Sequence, residues 1–322
     1  MLSMKVPSLL DVELARPRVY GHVKATPMLR YPLLDDWIGC ETWVKHENHH
    51  ATGAFKIRGG VNLVAQLNDE ERRRGVVSAS TGNHGQSMAY ACRVHGVPCH
   101  IFVPVGNNPD KVAAMRALGA DVVEYGRDFD EARERVEVLV AGEGWRYVHS
   151  ANEPQLIAGV GTYALEVFGE LPDADYLFVP VGGGSGAAGC CLVRDGMGRH
   201  TKIVGVQAKG ADAFTRSWLG PVRVSDETVR TCADGIATRT TYDLTFAILK
   251  EHLDEVVTLE EEELREGVRA AMRLTHNLAE PAGAAALAAA RRYAPSLAGK
   301  KVVCVMTGGN IDTASLRAVL SC

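Results

Sequence analysis

At 322 residues, with 46% hydrophobic and 23% charged side chains, the chain has the composition of a globular protein large enough for one big domain or two moderate ones. A formal net charge of -4, without basic runs, lacks the electrostatic footprint of nucleic-acid binding and favours a small-molecule partner. No apolar run approaches the roughly 20 residues of a membrane span, and residues 1–7 lack a charged stretch followed by an apolar one, so a cytoplasmic protein is expected.

Residues 42–45 read as a strand and lead into Thr52-Gly53-Ala54-Phe55-Lys56-Ile57-Arg58-Gly59-Gly60. A lysine enclosed between glycine turns can lose its hydration, lower its pKa and become a nucleophilic amine able to form a Schiff base. The plainer reading is a surface lysine at a helix start. His46, His49 and His50 just before it have no zinc spacing and are expected to pack near the site entrance.

A strand over 76–80 then meets Ser80-Thr81-Gly82-Asn83-His84-Gly85, which opens a helix over 86–95. Helix N-terminal N–H groups with small hydroxyls favour an anion such as a carboxylate, although Ser80 and Asn83 could equally be ordinary caps. Strands over 99–104 and 121–125 alternate with helices over 109–118 and 129–141; Asp128 and Asp130 read as solvated acids at a helix start. After a strand-like 145–148, His149-Ser150-Ala151-Asn152 begins the return to a larger domain.

The strand over 176–181 feeds Gly182-Gly183-Gly184-Ser185-Gly186, whose consecutive backbone N–H groups suit a phosphate. It is not a Walker loop, and no acidic residue is placed to fix a ribose. Further strands span 202–207 and 255–259. Thr258-Leu259-Glu260-Glu261 reads as a capping box for a helix running to about Leu278, and 282–292 is nearly pure alanine. The last strand, 301–307, ends in Thr307-Gly308-Gly309-Asn310, where a hydroxyl could meet a heterocyclic nitrogen. The eight cysteines form no CxxC pair and are expected reduced and mostly buried.

Strand–helix alternation predicts an α/β fold of largely parallel sheet with helices on both faces, which gathers the loops at strand C-termini along one edge. A reactive lysine, an anion pocket, a phosphate cup and a ring-nitrogen partner together describe a pyridoxal phosphate site.

These four motifs, running from Thr26-Pro27 to Thr307-Gly308-Gly309-Asn310, resemble the serine/threonine dehydratase group of fold-type II pyridoxal phosphate enzymes. The resemblance implies a two-domain, tryptophan synthase β-like fold: a large cofactor domain from residues 1–68 and 150–322, a lid over 69–149, and a homodimer. It implies that Lys56 carries the cofactor Schiff base beside Phe55 and that Asn83 meets the cofactor's 3′-hydroxyl. Gly182, Gly183, Gly184, Ser185 and Gly186 would hold the phosphate, Gly235 would line the site beneath the cofactor, and Thr307 would face the pyridine nitrogen. Ser80, Thr81, Gly82 and His84 would bind the substrate carboxylate, and Glu280 would stand behind the ring. The implied reaction is dehydration and deamination of a β-hydroxy L-amino acid such as threonine or serine.

Two sister activities are weighed against it. β-Replacement synthases differ at Asn83-His84-Gly85 and at Ala54-Phe55-Lys56-Ile57-Arg58. A serine racemase needs a second acid/base on the opposite face, for which Thr81 is the catalytic candidate. Bulkier substrates, phenylserine or hydroxyectoine-derived, are the further alternative. Gln207 and Ala213 stand where many relatives offer acids to a divalent cation, so no metal is expected, and Lys209 could replace the lost charge.

Overall fold

Short β-branched runs and alanine-rich stretches separate cleanly into strands and helices in the computed structural model, which describes residues 5–321. Residues 1–4 and Cys322 lie outside it, as do the side chains of Asp130 and Ala141. The described strands are β1 (Met28–Arg30), β2 (Glu41–His46), β3 (Val76–Ala79), β4 (Cys99–Val103), β5 (Asp121–Glu124), β6 (Arg146–Tyr147), β7 (Tyr176–Pro180), β8 (Lys202–Ala208), β9 (Glu255–Leu259) and β10 (Lys301–Met306). Six of them form one sheet in the order β1-β2-β10-β7-β8-β9, and four form another in the order β5-β4-β3-β6. Every pairing is parallel except β1 with β2, in the expected α/β pattern.

The central strands are apolar on both faces because helices cover both faces. Leu177, Phe178 and Val179 of β7 are buried, as is β10 from Val302 to Met306, with Cys304 registered between Val44 and Phe178. Against them lies the helix Pro281–Tyr293, whose residues from Ala282 to Ala290 are all buried. Alanine there keeps helix and sheet close at almost no side-chain entropy cost.

The helix Lys56–Val64 is buried from Ile57 onward and crosses the helices Asn83–His95 and Pro154–Glu170. Glycine makes the crossing possible: a Cβ on Gly60 would collide with the Ser87 hydroxyl, and one on Gly59 would stand 2.9 Å from the Leu156 carbonyl oxygen. The same helix buries Arg58 completely. Its guanidinium donates to both Glu47 oxygens at 2.7 and 2.8 Å, to both Glu166 oxygens at 2.6 and 3.0 Å, and to Thr162 Oγ1 at 3.1 Å. Lys45, also buried, pairs with Glu166, and Thr26 donates to Glu47 at 2.6 Å. Burial alone would raise the Glu47 carboxyl, but Arg58 and His50 hold it far below the usual range.

Several expectations change here. Thr258 does not cap a helix: it lies in β9 opposite Gln207, and the capping box is Glu260 with Glu263. That helix ends at Thr275 rather than near Leu278, because His276 turns into the left-handed region at φ 56°. Two of the three histidines near the lysine are packed inside the protein. His50 is buried with Nε2 3.0 Å from Glu47, and buried His46 lies 2.8 Å from the Tyr31 hydroxyl, its pKa pushed down to about 4 by burial. Lys209 pairs instead with Glu260 on the surface. The buried Gln207 carboxamide accepts from Thr215 N and Oγ1, both at 2.9 Å, and so fills the space near β8 with neutral hydrogen bonds. Among the described residues no cluster of metal-ligating side chains occurs and no helix is long and apolar enough to cross a membrane. The described cysteines are all free, and all but Cys232 are buried.

Arg58→Met strips the counter-charge from two carboxylates, and a loss of about 3–5 kcal/mol in equilibrium urea unfolding is expected.

Candidate active site

One cavity of about 560 Å³ is lined by loops that leave the C-terminal ends of β3, β7 and β10, together with the Phe55-Lys56 corner. Because β7 and β10 are parallel neighbours and the end of β3 faces them, residues more than 250 positions apart meet there.

Lys56 is the first residue of its helix, so its backbone is fixed by the burial of the turns that follow. Phe55 N donates to Thr307 O at 3.1 Å, tying the lysine corner to the end of β10. The Lys56 amine lies 5.1 Å from the centre of the Phe55 ring, and desolvation pushes its pKa down to about 8. A substantial fraction of neutral amine is therefore present near neutral pH, which is what attack on a carbonyl requires.

Asn83 opens the helix after β3 with its amide orientation set from both sides. Its Nδ2 donates to Glu280 Oε1 at 2.6 Å, and its Oδ1 accepts from Asn310 Nδ2 at 2.8 Å. Asn310 also donates to the Thr52 carbonyl at 2.8 Å. Three of the four motifs are thus joined through one amide. Glu280 is buried; desolvation raises its pKa, and Lys111 and the Asn83 bond oppose the rise.

In the rest of that loop the small hydroxyl is an internal brace. Ser80 Oγ accepts from Gly82 N at 3.2 Å and from Gly85 N at 2.8 Å. Thr81 and Gly82 line the cavity, with the Thr81 carbonyl accepting from Asn107 at 3.1 Å. His84 is buried with Nε2 3.0 Å from Ser78 Oγ, which itself donates to the Val148 carbonyl at 2.7 Å. That partner assigns the proton to Nε2, and burial pushes the His84 pKa down to about 3, so the ring is neutral. The Asn83 and His84 N–H groups lie in the first helical turn, which has no internal acceptors for them.

The glycine loop runs from Gly182 into the helix Ser185–Gly196. Gly184 has φ +89°, a conformation an L side chain would strain, and a Cβ on Gly182 would stand 2.6 Å from the Gly235 carbonyl oxygen. Tyr163, which packs edge-on against Phe55, donates to the Gly186 carbonyl at 3.1 Å. Ser185 is buried at the helix start, and Gly235 and Thr307 line the same cavity. Thr307 Oγ1 lies 3.4 Å from the Ala282 carbonyl.

All the sequence-predicted site residues therefore border one cavity. The lining residues that sequence reading did not assign to the site include Asn107, Lys111, Asp234, Arg239 and Tyr242. Lys111 reaches Asp234 at 3.1 Å, and Asp128, read as a solvated acid, caps its helix by accepting from Glu131 N at 3.0 Å while facing Arg239 at 4.0 Å. None of these carries a local signature; each belongs to the site only because two distant segments approach.

A glycine cradle at a helix start, a desolvated lysine and a neutral hydroxyl across the cavity fit pyridoxal phosphate in both charge and size. The family model described as pyridoxal-phosphate dependent enzyme matches residues 19–308. The chain belongs to that family. Within these pyridoxal-phosphate dependent enzymes it falls in the fold-type II serine/threonine dehydratase group. It is 37% identical to an L-threonine ammonia-lyase of Thermotoga maritima over 98% of this chain and 78% of the relative. It is 34% identical to an L-threo-3-hydroxyaspartate ammonia-lyase of Saccharomyces cerevisiae over 99% and 98% of the two chains. The processed form of threonine deaminase isoform 2 from Solanum lycopersicum superposes with a TM-score of 0.93 at 31% identity, covering 100% of this chain and 91% of that one.

In the cofactor-free protein, the rate of reaction with pyridoxal phosphate should rise with pH to a midpoint near about 8, where Lys56 loses its proton, rather than near 10.5. Stopped-flow absorbance across that range checks it.

Proposed function

We propose that this enzyme eliminates water from L-threonine or L-serine and yields the 2-oxo acid and ammonia. The single observation that carries the reading is Lys56, a desolvated amine with its pKa near about 8, facing a glycine cradle and a carboxylate-sized loop in one cavity. The names of the Thermotoga maritima and Solanum lycopersicum proteins support threonine as substrate.

When bound, pyridoxal phosphate supplies an electron sink for charge developing at the substrate α-carbon. Lys56 would hold the cofactor through its amine, and the same Nζ, when free, would take the substrate α-proton. The loop N–H groups of 182–186 and the Ser185 hydroxyl would hold the phosphate, and Gly235 and Phe55 would border the ring. Asn83, braced by Glu280 and Asn310, keeps one Nδ2 hydrogen for the cofactor's 3′-oxygen. Thr307 would offer the ring nitrogen a hydroxyl, which could not protonate it as a carboxylic acid would. That restraint damps charge delocalisation and favours prompt loss of the β-hydroxyl. The substrate carboxylate lies against Thr81, Gly82 and the first-turn N–H groups of Asn83 and His84. Loss of water leaves an enamine, whose hydrolysis takes the water back and releases ammonia.

The segment over 69–149 would act as a lid, with Lys111–Asp234 and Asp128–Arg239 as ion pairs across the mouth. The same cations favour one second reading. A substrate with another carboxylate, such as the hydroxyaspartate in the name of the Saccharomyces cerevisiae relative, would meet Lys111 at the cavity wall.

Release of 2-oxo acid from L-threonine, L-serine, phenylserine and threo-3-hydroxyaspartate decides among these. Threonine or serine should turn over fastest, and Lys56→Ala should cost at least about a thousandfold. Highest kcat/KM for hydroxyaspartate would favour the second reading. Formation of D-serine without oxo acid would overturn elimination in favour of racemisation through Thr81.

A further inference from the structure

The glycine loop is half of a phosphate cup, and the other half comes from two segments outside the four motifs. The Tyr242 ring, just before the helix Asp243–His252, packs on the loop: a Cβ built on Gly183 would stand 3.7 Å from its Cε2 and 3.8 Å from its Cδ2. Tyr242 also borders the cavity. Behind it stands His149, edge to face, with ring centres 4.8 Å apart at 72°.

His149 cannot swing freely. Its Nδ1 accepts from Ala151 N at 3.0 Å and Asn152 N at 3.1 Å, which leaves the proton on Nε2. Desolvation, helped by Arg133, lowers the ring's pKa to about 4, so it is uncharged against Tyr242. Asn152 Oδ1 accepts from Leu244 N at 3.1 Å, fastening the His149 turn to the helix that follows Tyr242. One turn later, Thr245 Oγ1 donates to the Gly183 carbonyl at 2.7 Å, and the Ala151 methyl lies 3.1 Å from the Gly183 Cβ position. Tyr242, His149, Asn152 and Thr245 therefore interlock over one corner of the loop.

We propose that the Tyr242 ring, backed by His149, is the outer wall of the phosphate cup and sets how tightly and how long the cofactor phosphate is retained. This assignment rests on the cofactor reading above. Tyr242 is a positioning residue: it acts by excluding water from the Gly183 corner and by keeping the loop N–H groups aimed inward. The contact is through ring carbons, so the ring rather than the hydroxyl carries the effect.

The test compares two probes on the full chain stripped of cofactor, pyridoxal phosphate and phosphate-free pyridoxal, read by the visible absorbance of the lysine-bound carbonyl compound and by its rate of washout. Tyr242→Ala should weaken pyridoxal phosphate about tenfold, mostly through faster release, and change pyridoxal by less than about twofold. His149→Ala should shift the same way by a smaller factor, and Tyr242→Phe should stay within about twofold of the parent protein. Equal weakening of both probes would mean general loosening of the fold and would overturn the proposal, as would unchanged retention in Tyr242→Ala or loss in Tyr242→Phe as large as in Tyr242→Ala. A parent protein that takes up neither probe would overturn the cofactor reading itself.

Discussion

Arg58 lies fully buried between two carboxylates, and the placement of the reactive lysine two residues earlier depends on it. A guanidinium with no access to water must be satisfied by the protein, and here the turn just after β2 and the helix Pro154–Glu170 each supply an acid. The geometry is nearly complete: both oxygens of each carboxylate are used, and Lys45 balances the second acid. Such a cluster adds little net stability compared with apolar packing, but it tolerates no slip of the helix along its axis. Lys56 is the first residue of that helix, so the cluster fixes the starting point of its side chain.

The second constraint is how close backbones can come. Gly59 and Gly60 let three helices cross within contact distance, and the alanines of the helix Pro281–Tyr293 let it lie flat on β7 and β10. This tight packing brings the ends of β3, β7 and β10 to one cavity. Burial then does the chemical work. It lowers the Lys56 pKa, keeps His84 and His149 neutral, and raises that of Glu280 against the pull of Lys111.

The site's polarity is arranged so that few side chains are left to adjust. Ser80 braces its own loop, His84 is committed to Ser78, and Asn83 is held by Glu280 and Asn310. Backbone N–H groups, the Thr81, Ser185 and Thr307 hydroxyls and the Lys56 amine are what the lining leaves toward the cavity. A cavity built this way is preorganised, and its electrostatics need little rearrangement when charge develops.

The strands and the four motif loops were legible in the sequence because β-branched runs, helix-length spacers and glycine clusters act over a few residues. Most boundaries came within a residue or two; the helix read from Gln86 begins at Asn83, Thr258 stays in β9 without capping the next helix, and His276 stops that helix early. Strand β1 was not legible, since three residues carry no period and its pairing with β2 exists only in the sheet. Lys56 read alone is an ordinary lysine at a helix start, and only its surroundings in the packed chain lower its pKa. The bracing of Asn83, the closing of the glycine loop by Tyr242 and the ion pairs of Lys111 and Asp128 depend on contacts between segments tens to hundreds of residues apart. The sequence alone determined the alternation of elements and the chemistry available at each loop, since both follow from local steric and polar preferences. The tertiary structure decided which of those groups face one another and how much water each retains, because distance and desolvation are properties of the packed chain.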